Sequence, residues 1–101
     1  MQTFNITSAT TTTLRDIHAD IGGNVKSIRL TNTHASTAVT VSLFLEDSSS
    51  NKFYVIDTDI PGHTTLLLEE NLSFSNRLFS LKLTTTAGGL STSTPLSVII
   101  K

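Results

Sequence analysis

The chain has 101 residues, of which 15% are charged, with a formal net charge of −1 and no cysteine. That length supports one domain, residues 1–101, with one modest core. The charge balance argues against a nucleic-acid surface, which needs a clear excess of Lys and Arg. The lack of cysteine removes disulfides, thiolate metal sites and cysteine nucleophiles.

In chain order, Phe4 and Ile6 alternate with Thr3, Asn5 and Thr7 and predict a short first strand. Residues 8–13 form a Thr-rich link. Leu14, Ile17 and Ile21 are spaced for a short amphipathic helix. The β-prone Thr run and the early Gly22-Gly23 favour a strand over about residues 12–18 instead. Residues 1–24 are thus either first strands or an extended contact arm. Ile28 and Leu30 alternate with Arg29 and Thr31, and Val39, Val41, Leu43 and Leu45 alternate with Thr40 and Ser42. With the polar Asn32–Ser36 connection between them, these runs predict a β-hairpin with one wet and one buried face.

Asp47–Lys52 reads as a polar tip. In the strand that follows, Phe53 and Val55 fall on one side and Tyr54 and Ile56 on the other. Apolar residues on both faces imply an edge strand that meets another chain, or a switch between sheets. Pro61-Gly62 marks a tight turn. Residues 64–70 are a strand or connection, and Leu72 and Phe74 in the crossing after it are expected to be buried. Phe79, Leu81 and Leu83 mark a strong strand, residues 84–94 a Gly/Ser/Thr loop, and Leu96–Ile100 a last strand. Seven to eight strands with turns about every ten residues predict an all-β fold. The architecture expected is a single antiparallel β-sandwich, immunoglobulin-like or jelly-roll-like.

Chemistry is hard to find in this pattern. His18, His34 and His63 have no metal-ligand spacing. Asp47–Asn51 begins like a calcium loop, but Lys52 stands where its Gly belongs. The pairs Asp57/Asp59 and Glu69/Glu70 suit solvated strand ends, and no G-x-S-x-G elbow is present. The expectation is no catalytic residue, no metal and no cofactor, so the chain does not read as an enzyme. Phe44, Tyr54, Ile56, Leu67, Leu78 and Ile99 fall out of phase with the main apolar faces of their strands, which points to a contact patch. The residues expected to touch neighbours are Phe4, Ile6, Tyr54, Ile56 and Ile99.

The segments SIRLTNTH, VTVSLFLEDSSSNKFYVI, DIPGHTTLLLEENLSF and LSVIIK, spanning residues 25–101, resemble small virion structural proteins of marine and cyanobacterial tailed bacteriophages. The resemblance lies in a pattern of strands and turns and contains no chemical motif. It implies a non-enzymatic structural protein of the virion, made in the host cytoplasm. Its expected role is head decoration or cement, binding the major capsid protein or other virion proteins, with homo-oligomers in the particle. The alternatives are a neck, tail or baseplate accessory protein and a glycan-binding host-recognition module, the latter disfavoured by the few loop aromatics. A membrane partner is not expected: no apolar run approaches the ~20 residues of a span, and the N-terminus lacks a signal-peptide pattern.

Overall fold

A computed structural model describes residues 2–16, 23–69, 72–74, 78–86 and 89–101. Among these residues there are ten strands: β1 (Gln2–Ile6), β2 (Thr11–Arg15), β3 (Gly23–Val25), β4 (Ile28–Asn32), β5 (Val39–Asp47), β6 (Lys52–Ile60), β7 (Thr64–Leu68), β8 (Leu72–Phe74), β9 (Phe79–Thr86) and β10 (Leu96–Ile100). Residues 2–6 and 11–15 are therefore first strands of the sandwich and not an arm. The helical alternative at residues 17–21, and His18 with it, lies outside the described residues.

The pairing follows one rule. β1 pairs with β10, β2 with β9, β3 with β8, β4 with β7 and β5 with β6, all antiparallel. The chain is a single nested hairpin folded back at residues 48–51. Two further antiparallel contacts, β10 with β4 and β5 with β9, roll that hairpin into sheet A, ordered β1-β10-β4-β7, and sheet B, ordered β2-β9-β5-β6. This is the strand order of a jelly roll, not of an immunoglobulin domain, in which the strands are divided differently between the sheets. The short β3-β8 pair stands apart from both sheets.

The hairpin expected around Asn32–Ser36 does not form. β4 lies in sheet A and β5 in sheet B, so the link between them is a crossing from one sheet to the other. Asn32 explains why the chain turns away. Its side chain is 1% exposed, and its Nδ2 donates to the carbonyls of Thr37 (2.9 Å) and Ile60 (2.9 Å). Its Oδ1 accepts from the amide of His34 (3.1 Å). A buried amide with all these groups satisfied pins the start of the crossing under the end of β6.

Period two still decides what is buried. Ile28 and Leu30 of β4, Val39, Val41 and Leu43 of β5, Leu81 and Leu83 of β9, and Leu96, Val98 and Ile100 of β10 form the core between the sheets. Leu72 and Phe74 pack against it, as expected. Each of these aliphatic side chains, fully removed from water, contributes roughly 1.5–3 kcal/mol before the entropy of ordering is counted.

Candidate interaction surface

The two ends of the sandwich differ in length of cover. Asn32 ties the end of β4 to the end of β6, so the sheets are flush there. The sheet A strands are five residues long, whereas β5 and β6 have nine and β9 has eight. At ~3.3 Å per residue, sheet B therefore runs on past sheet A toward the 48–51 tip. Burial falls accordingly, from the buried Val39–Phe44 stretch of alternating core residues to exposed Lys52, Phe53 and Tyr54.

Large apolar side chains gather on this overhang. Phe53 is 54% exposed and meets Phe79 edge-on, with ring centroids 5.9 Å apart. Tyr54 is 60% exposed and lies on the opposite face, its ring 5.6 Å from that of Phe44. Leu78, just before β9, is 61% exposed. Phe44, read from the sequence as a solvent-face residue, is on the outer face as expected. It is nonetheless buried, covered by Tyr54 and by the Lys52 ammonium 5.2 Å from its ring centroid.

A bulge sorts Tyr54 from Ile56. Leu43 pairs with Ile56 but Phe44 pairs with Tyr54, so Val55 is an extra residue on β6. In an unbulged strand Tyr54 and Ile56 would share a face. Here Tyr54 points out and Ile56 packs against the core. Ile56 is thus corrected from a contact residue to a core-packing one. Phe4 and Ile6 need the same correction. β1 docks along β10 with Phe4 opposite Val98 and Ile6 opposite Leu96, so both face inward; Ile6 is 4% exposed and Phe4 packs on the core. Ile99 does lie on the outer face of sheet A, in a cross-strand row with Arg29 and Leu67. The signal for Phe53, missed as a surface residue, was its place beside the polar tip, where a strand outruns its cover.

The outer face of sheet B is otherwise a ladder of polar pairs. Thr40 donates its hydroxyl to Asp59 (2.6 Å), Ser42 donates to Asp57 (2.9 Å), and Lys82 and Glu46 form an ion pair at 2.7 Å. At the tip, Asp47 accepts from the amides of Ser49 and Asn51 (both 2.9 Å) and from Asn51 Nδ2 (3.1 Å). The bond from the Asn51 amide, followed by that from its side chain, holds the Asp47 carboxyl below the usual carboxylate range. The Asp47 carboxylate, first of the oxygens that resembled a calcium loop, is spent on its own turn.

The opposite end is a knot of loops. His63 donates its amide to the His34 carbonyl (2.9 Å), and the His34 Nδ1 accepts from the amides of Ser36 (3.2 Å) and Thr37 (3.0 Å). Thr33 donates its hydroxyl to the Pro95 carbonyl (2.6 Å). The buried Thr85 hydroxyl donates to the carbonyls of Ser8 (3.1 Å) and Thr10 (3.3 Å). His34 and His63 are joined here through their backbones, and His34 Nδ1 is occupied by backbone donors and serves the loop. Comparison with known protein families, with curated proteins and with solved structures finds no match to this chain.

Proposed function

We propose that this protein is a structural component of a bacteriophage virion, a head-decoration or cement protein that acts by binding between capsid subunits. One observation carries the binding role: Phe53, Tyr54 and Leu78, each more than half exposed, all lie at the overhanging end of a small domain, with Phe53 and Tyr54 on opposite faces of sheet B. Monomeric proteins seldom leave so many large apolar side chains exposed at one end without a partner, and aromatic anchors of this kind dominate the energetics of protein contacts. The virion assignment rests on the sequence resemblance. The jelly-roll order is compatible with it by analogy, since that fold recurs in viral capsid proteins, although also in lectins and cupins.

A cement protein binds the same surface in many copies, so modest contacts sum to a stable shell. Its test is mass spectrometry of purified particles after heads and tails are separated. Hundreds of copies with the heads, and a gain in heat resistance when the protein is added to heads lacking it, are the expected results. A few dozen copies confined to tails would replace the cement role with a neck or tail role. Retention on host-surface polysaccharide, with no particle association, would favour the glycan-binding reading.

A further inference from the structure

The outer face of sheet A carries a feature that the aromatic end does not explain. Ile99, Arg29 and Leu67 lie side by side across β10, β4 and β7. Ser27 is bonded to the backbone of Lys101 just beyond that row, with Glu69 also at hand. The small Ser27 side chain among long ones leaves a depression of about 230 Å³ lined by Ser27, Arg29, Leu67, Glu69, Ile99 and Lys101. Leu67 is 42% exposed. Among the described residues the ion pair is Lys82 with Glu46, so Arg29 and Lys101 border the depression unpaired, with the Glu69 carboxylate on the same lining.

The complement is on the same chain. β6 is the edge strand of sheet B, and Tyr54, Asp57 and Asp59 share its outer face through their pairing with Phe44, Ser42 and Thr40. Each of the two carboxylates accepts one hydroxyl and makes no ion pair among the described residues. An exposed aromatic ring next to two carboxylates matches a depression in which Leu67 and Ile99 are flanked by two cations and one carboxylate. A net charge of −1 adds little long-range repulsion between copies.

We propose that the depression on sheet A is the docking site for a second copy of this chain, which presents the Tyr54 and Asp57 face of its edge strand β6. Because socket and plug lie on different sheets, the contact is head-to-tail and leaves one of each free at the ends of every pair, so it propagates into rings or arrays. The inference rests on reading the chain as a binding protein and adds one partner to it.

The experiment is sedimentation velocity of the full chain across concentration and salt, with Arg29→Glu and Asp57→Lys variants checked for fold by circular dichroism. The wild type is expected to associate, less so at high salt, and each variant to associate at least about tenfold more weakly because like charges then face each other. An equimolar mixture of the two variants is expected to recover association, since the first keeps Asp57, the second keeps Arg29, and the two substituted positions are again opposite in charge. A wild type that stays monomeric to ~1 mM, wild-type association by Arg29→Glu, or a mixture of folded variants that stays monomeric would each overturn the proposal. Binding of the monomer to heads is measured separately, so its failure and the failure of self-association are distinguishable.

Discussion

The loop end and the aromatic end use side chains in opposite ways. At the loop end, Asn32, Thr33, His34 and Thr85 direct their polar atoms at neighbouring backbone; the links at residues 33–38, 61–63 and 89–95 hold one another, and the link at 7–10 is held by Thr85 of β9. At the other end, Phe53, Tyr54 and Leu78 face solvent with part of their surface unspent. The first pattern stores stability within the chain, since every buried polar group there would be costly if left unpaired. The second leaves binding energy available to a partner. Substitutions at the two ends should therefore separate stability from association.

The largest effect on folding is expected from Asn32→Ala, which strips donors from the Thr37 and Ile60 carbonyls at a buried site. A loss of about 3 kcal/mol is expected, with a fall in Tm of roughly 12–24 °C at 4–8 °C per kcal/mol; a thermal melt checks it. Gly62→Ala comes next. A Cβ at Gly62 would lie 2.8 Å from the His34 carbonyl oxygen and the Ser36 amide nitrogen, backbone atoms that cannot swing aside. About 2 kcal/mol should be lost in urea unfolding with an unchanged m value. If either substitution is silent, the loop end is not the stabilising one.

At the aromatic end the expected order reverses. Phe53→Ser or Leu78→Ser should cost about 1 kcal/mol or less, because more than half of each side chain is already in water, while particle association falls at least about tenfold. Pulldown of the variants with purified heads reads the second quantity. Equal loss of stability at both ends would erase the contrast.

The smallest effect is a dependence on pH at the tip. The folded state holds the Asp47 carboxyl below its ordinary value of 3.8, so the ionised form is favoured on folding. Its contribution is present above that ordinary value and is lost as pH falls through the lower folded one. Protection of the Ser49 and Asn51 amides, which both donate to Asp47, should fall relative to their intrinsic exchange rates on acidification in that window, and Asp47→Asn should flatten the response. Unchanged exchange would mean that the turn holds without the carboxylate.

How much of this was legible depends on how local each feature is. The alternation at Ile28–Leu30, Val39–Leu45, Leu81–Leu83 and Leu96–Ile100 marked strands and their buried faces, and Leu72 and Phe74 were recognisable as core packing. The polar Asn32–Ser36 link looked like a hairpin turn because a short polar connection between two strands reads alike whether it stays in one sheet or crosses to the other. Its outcome hung on Ile60, whose carbonyl takes the Asn32 side chain. Tyr54 and Ile56 looked like face-sharing residues because nothing in FYVID betrays the extra residue at Val55. Ile99 was legible as out of phase, but not its company with Arg29 and Leu67.

The sequence by itself determined the all-β class, the positions of the longer strands and most of the core, because a period of two is a property of the local backbone and of which side chains avoid water. The short β3 and β8, which read as a turn and a crossing, bring the seven to eight strands expected to ten, and the Thr84–Thr86 end of β9 reads as loop. Only the tertiary structure decided the division into sheets and the residues left facing solvent. Those follow from pairings as distant as Gln2 with Ile100 and from the different lengths of the two sheets. Both are set by the sum of contacts over the whole rolled hairpin and by no segment of it alone.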